Sequence, residues 1–136
     1  MTKQTPRAHS VDEYISQAAH NHEFARYIRE NKTDCLDWSA TCLFYAAVHY
    51  INAYFKKIGK QIPRRHSSPD PRSPGRLNII QTDSSLSAIY DQYRNLDDES
   101  RDARYELKMI SASDYDSFLL PQFEAIKTFI IPKVTT

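Results

Sequence analysis

Residues 36–58 read Leu36-Asp-Trp-Ser-Ala-Thr-Cys-Leu-Phe-Tyr-Ala-Ala-Val-His-Tyr-Ile-Asn-Ala-Tyr-Phe-Lys-Lys-Ile58, and this stretch decides the fold. Leu36, Ala40, Leu43, Ala47, Ile51, Tyr54 and Ile58 recur at steps of three and four, the period of one helix face. Trp38, Cys42, Tyr45, His49 and Ala53 make a second stripe beside it, and Phe44, Val48 and Phe55 widen the apolar surface. A helix apolar nearly all round in its middle is the element against which others pack. Gly59 should end it, with Lys56, Lys57 and Lys60 suited to the negative end of the helix dipole. His49, Asn52, Lys56 and Lys57 interrupt the run, so the reading is a buried helix and no membrane span.

Upstream, Ser10-Val-Asp-Glu13 has capping-box spacing. Val11, Tyr14, Ile15, Ala18, His22, Ala25 and Ile28 then predict a helix to about Arg29, with a turn at 31–33. Downstream, residues 61–75 carry four of the seven prolines and predict a long loop. A short helical turn is expected from Pro74 to Gln81, capped by Ser73, with Leu77 and Ile80 inward. A third main helix should start near Ser84 and bury Leu86, Ile89, Tyr90, Tyr93 and Leu96. It should stop near Asn95 unless Asp97-Asp98-Glu99 has a use for its charge, because three carboxylates oppose the C-terminal dipole. A last helix should open after Ser111 or Ser113 and run to about Pro132, kinked or split at Pro121. Phe118, Leu119, Phe123, Ile126 and Ile130 would face the core. No segment alternates as a strand does. The expected architecture is all-α: one domain over 1–136, ordered over about 10–131, forming an up-down four-helix bundle with a Pro-rich basic loop between helices 2 and 3.

Composition narrows the function classes. The 136 residues hold 18 Lys plus Arg against 17 Asp plus Glu, so no net charge draws the chain toward nucleic acid or membrane. Two glycines leave nothing for a Gly-rich phosphate loop. The polar Met1–Ser10 shows no secretory signal. Cys35 and Cys42 stand seven apart, about 10 Å along a helix, too far to bridge. Two packed, reduced thiols in a cytoplasmic protein are expected. Neither belongs to a zinc-type pair, and His20 and His22 diverge on their helix, so no metal or cofactor is expected.

Charge is instead clustered. Lys56 to Arg76 holds Lys56, Lys57, Lys60, Arg64, Arg65, Arg72 and Arg76 against Asp70 alone. Phosphate oxygens are the natural partner of such a cluster, and a solvated loop is the plain alternative. The segment from Asp91 to Glu106 is the reverse, with six carboxylates around Arg94, Arg101 and Arg104. It reads either as surface ion pairs or as a docking surface for the basic loop, in the same chain or a partner. His66 is the one histidine placed to act on a phosphodiester, and its cationic neighbours should disfavour its protonated form. His49, in a stripe with Tyr45 and Cys42, reads as a hydrogen-bonded core histidine.

The core-helix run Tyr45-Ala-Ala-Val-His49, the His/Arg loop, Tyr90-x-x-Tyr93-x-x-Leu96 and Ser100-Arg-Asp-Ala-Arg104-Tyr105 together resemble the HEPN (higher eukaryotes and prokaryotes nucleotide-binding) superfamily. The likeness spans about residues 10–131. It implies an up-down four-helix bundle, usually a homodimer, with Tyr45, His49 and Arg94 as supporting residues. Many members are metal-independent RNases using an Arg, often followed by Asn, and a His four to six residues on. Arg94-Asn95 begins that motif, but Glu99, Ser100 and Arg101 stand where the His belongs. The resemblance therefore implies binding of RNA, a nucleotide or another phosphate ligand, in a toxin–antitoxin or defence-type system. Arg64, Arg65, His66, Arg72, Arg76, Arg101, Arg104 and Tyr105 are the candidate contacts.

An interaction or regulatory subunit, for example a partner of a nucleotidyltransferase, is the alternative. An RNase with a rearranged site using His66 is the second. A homodimer is expected too, because Trp38, Phe44, Tyr45, Val48, Tyr50, Tyr54 and Phe55 give the central helix more apolar surface than its neighbours need.

Overall fold

The central helix forms as the periodicity requires. In the computed structural model, which describes residues 8–135, α2 spans Leu36–Lys57 and buries fifteen of its residues. Most of Met1–Ser10, where no secretory signal was expected, lies outside the described residues. Around α2 pack α1 (Val11–Asn31), α4 (Tyr90–Tyr105) and α6 (Leu120–Val134), and α4 also touches α6. Between α2 and α4 lies the short α3 (Arg76–Thr82). Before α6 come one α-helical turn, α5 (Ala112–Asp114), and a π-helical turn over Tyr115–Leu119. The described residues are all helix and connection, without a strand. No helix is long and apolar enough to cross a membrane among the described residues.

Local chemistry sets the ends. Ser10 Oγ accepts from the Glu13 amide at 3.1 Å, and Glu13 Oε1 accepts from the Ser10 amide at 3.1 Å, a reciprocal cap. Beyond α2, Gly59 takes φ 74°, a conformation that costs glycine little. α1 and α2 are tied by the buried Ser39, whose hydroxyl donates to the Ala25 carbonyl and accepts from Tyr115 Oη, each at 2.7 Å.

Four expectations are corrected. α3 starts at Arg76 and not Pro74, and its cap is Gly75 in place of Ser73. α4 starts at Tyr90 after a 3₁₀ turn over Ser87–Ile89, because Asp83 ties up Ser85 through its amide at 2.8 Å and its hydroxyl at 2.7 Å. It then continues ten residues past Asn95 to Tyr105, the other outcome that the acidic run left open, with its carboxylates paired. The inward row before α6 is Tyr115 and Leu119, which leaves Phe118 on the flank and partly exposed.

The apolar surplus expected of α2 is largely covered within the chain. Phe44, Val48, Tyr50, Tyr54 and Phe55 are buried by neighbouring elements, and only Trp38 and Tyr45 of that set stay exposed. The argument for a dimer from unburied surface therefore shrinks to those two rings. Both cysteines are free and half-buried, and burial raises both thiol pKa values above the ordinary range.

Candidate anion site

One stripe of α2 carries the site. Thr41, Tyr45 and Asn52 fall on neighbouring turns of one side of the helix, and each meets a different cationic or titratable group. Thr41 Oγ1 lies 3.4 Å from Arg104 Nη1, the Tyr45 ring is 6.1 Å from the His66 ring, and Asn52 Oδ1 accepts from Arg76 Nε at 3.1 Å.

A clip in the Pro-rich loop brings His66 and Arg76 together. The Arg76 amide donates to the Arg65 carbonyl at 2.9 Å and the Leu77 amide to the His66 carbonyl at 2.6 Å. Asn78 Oδ1 accepts from the amides of Ser68 at 2.9 Å and Gly75 at 3.0 Å, so one side chain pins both strands of the loop. Gly75 is needed here for closeness, since a Cβ at that position would sit 2.4 Å from Ser67 Cα. The loop is thus folded back onto the start of α3, and its ten-residue span from His66 to Arg76 closes into contact.

Arg76 is 4% exposed, deeper than the other cations of its cluster. Its bonds go to three neutral acceptors: Asn52 Oδ1, the Pro63 carbonyl at 3.0 Å through Nη2, and His66 Nδ1 at 3.0 Å through Nη1. A guanidinium keeps its protons, so Nδ1 is the acceptor and the ring hydrogen of His66 sits on Nε2. Tyr93 Oη also lies 3.3 Å from Nδ1. Burial, then Arg76, Arg101 and Arg104, push the His66 pKa down to about 4. At neutral pH His66 is an uncharged ring that can donate from Nε2.

The charges of Arg76, Arg101 and Arg104 also bear on the carboxylate of Asp97, with Asp98 opposing them. Asp97 is buried, and its closest cation, Arg101, stands at 3.4 Å. Desolvation raises the Asp97 pKa, with Arg101 opposing. Arg104 bonds only hydroxyls, Thr41 Oγ1 and Ser100 Oγ at 3.2 Å, and its Cζ lies 5.3 Å over the Tyr105 ring. The arrangement is a cationic, partly desolvated recess with donors on His66, Arg101 and Arg104, suited to an anion.

The structure brings together Tyr45, His66, Arg76, Arg101, Arg104 and Tyr105. Arg76 is an internal strut, not a surface contact. Arg64, Arg65 and Arg72 stand apart on a cleft of about 670 Å³ with Lys60. Arg72 reaches Asp70 at 3.3 Å and Lys60 reaches Asp83 at 3.1 Å, while Arg64 and Arg65 are exposed. Arg94 is also exposed and leans on Asp98 at 3.9 Å, so it supports nothing from within. His49 stacks on Tyr14 at 6.4 Å with Nδ1 buried and unpartnered, contrary to a hydrogen-bonded core histidine.

The acidic stretch of α4 is satisfied locally, Asp97 by Arg101, Asp98 by Arg94 and Glu99 by Lys108 at 2.8 Å. Neither Arg72 nor Arg76 is consumed by it. Sequence reasoning missed Asn52, Tyr93, Asp97 and Thr41 as parts of the site. The one available signal was Asn52, a polar residue between Ile51 and Ala53 in a buried run, which demands a partner. No three His, Cys, Asp or Glu side chains among the described residues are grouped so as to hold a metal ion. No family model, curated protein or solved structure matches the chain.

Proposed function

We propose that this chain is a HEPN-like helical domain that binds a phosphate-bearing ligand, RNA or a nucleotide, in the recess around His66. The observation that supports this reading most is the charge arrangement there: Arg76 is bonded to the neutral His66, Arg101 is paired with Asp97, and Arg104 is held only by hydroxyls. A buried or half-buried cation without full compensation is costly, and a bound phosphate supplies the compensation.

The same geometry argues against His66 as a general base. A base needs a free ring lone pair, and the Nδ1 lone pair of His66 is taken by Arg76 while Nε2 carries hydrogen. His66 serves here as a hydrogen-bond donor. Arg104, half-buried and tied only to hydroxyls, is the cation readiest to turn to a ligand.

Equilibrium binding of a labelled single-stranded RNA at low salt tests the reading. Arg104→Gln should weaken binding about tenfold or more, the worth of one charge-assisted contact. Equal affinity of Arg104→Gln and wild type, with loss only in an Arg64→Gln, Arg65→Gln double variant, would move the site to the loop cleft and overturn it.

A further inference from the structure

Beside the recess stand rings that the anion reading leaves unused. Trp38 is 59% exposed, Tyr45 38% and Tyr105 71%, in a chain that buries its other α2 aromatics almost completely. They belong to one face. Trp38 and Tyr45 are seven residues apart on α2, with Thr41 between them, and Thr41 meets Arg104, whose guanidinium covers the Tyr105 ring. Tyr45 in turn contacts His66. The helical period turns Asp102 of α4 roughly 160° away from Arg104, and Glu106 lies past the helix end.

We infer that the recess takes single-stranded nucleic acid, whose bases stack on Trp38, Tyr45 and Tyr105 while its phosphates lie against Arg101 and Arg104. This rests on the phosphate-binding reading above and goes further by naming what the phosphates are attached to. Alternation of cations with exposed rings is what a single strand needs, since every base offers a π-face and every linkage a charge. The rings also select against a duplex. Trp38 and Tyr45 lie about 10 Å apart along α2, about three times the ~3.4 Å rise between stacked bases. Bases that reach both must be splayed out of a continuous stack, as only an unpaired strand allows. A free mononucleotide would engage one ring and leave the others unused.

Trp38 is the one tryptophan of the chain, so the intrinsic indole fluorescence reports this face without a label. The experiment titrates the whole protein at low salt with oligonucleotides about ten nucleotides long: single-stranded RNA, single-stranded DNA of the same sequence, and the duplex. Inorganic polyphosphate serves as an anion without bases. Quenching of Trp38 by the single strands, RNA or DNA, with much weaker quenching by duplex and none by polyphosphate, is the expected result, and the two strands' relative affinities say which is preferred.

Tyr105→Ala should weaken single-strand binding about tenfold, and Trp38→Ala, followed by anisotropy of a labelled strand, should do the same. Both side chains are largely exposed, and unchanged melting curves confirm that the fold is kept. If polyphosphate competes fully and both variants bind RNA as wild type does, the stacking inference fails while the anion site stands. If no polyanion binds, both fail. If Trp38 emission changes with protein concentration but not with RNA, the face joins two copies of this chain and the inference is overturned.

Discussion

Acidification from about pH 7 to about pH 4.5 should destabilise the protein through His66. Its ordinary pKa of 6.5 falls to about 4 in the folded chain, because burial and the Arg76, Arg101 and Arg104 charges disfavour the imidazolium. Between those values the unfolded chain binds a proton that the folded chain refuses. Stability is therefore full above pH 6.5 and is lost as pH falls toward 4. The whole interval corresponds to at most about 3 kcal/mol, and partial solvent access trims the share lost near pH 4.5 to about 2 kcal/mol.

His22 and His49 are shifted down as well, and Asp97 is shifted up, which acts in the opposite sense. The contribution of His66 is isolated by comparing wild type with His66→Asn, which cannot titrate. Urea unfolding at the two pH values should give a pH-dependent stability difference between the proteins of about that 2 kcal/mol. The ring signals of His66 should keep their neutral-form shifts down to about pH 5. A His66 titration midpoint near 6.5, or an identical pH dependence in both proteins, would refute the burial of this ring against Arg76 and the cationic field around it.

Two further outcomes follow from the clip and the core. Gly75→Ala places a Cβ 2.4 Å from the Ser67 backbone, so the loop must shift. Thermal melts should show a loss of about 1–3 kcal/mol, with the His66 ring signals displaced. Ser39→Ala strands the buried Tyr115 hydroxyl and removes the second bond to the Ala25 carbonyl, and should cost about 1–3 kcal/mol in urea unfolding without altering RNA affinity.

The helical skeleton was legible because its signals are local. The capping box at Ser10, the two stripes of α2 and the stop at Gly59 each follow from residues within a turn or two of one another. Where the sequence left a choice open or misled, the deciding contacts carried no periodicity to mark them. α4 runs through Asp97-Asp98-Glu99 because Arg101, Arg94 and Lys108 neutralise those carboxylates one by one, and the Lys108 contact comes from beyond the helix end.

Arg76 looked like one more surface cation of the basic loop. It is instead drawn inward by Asn52, twenty-four residues earlier, and by the Pro63 carbonyl, and no periodicity marks such a pairing. Tyr93 was readable as a core residue from its spacing, but its hydroxyl beside His66 was not, since the loop that carries His66 has no pattern of its own. The cationic character of the recess was thus visible only as a count of charges, and its location came from folding.

The salt dependence of single-stranded RNA binding tests the central claim most directly. The logarithm of affinity should fall linearly with the logarithm of salt, with a slope of about −0.7 for each phosphate neutralised. Removing Arg101 and Arg104 together, as Arg101→Gln with Arg104→Gln, should flatten that slope by about 1.4. A wild-type affinity indifferent to salt, or a slope that the double variant leaves unchanged, would contradict phosphate binding in the recess around His66.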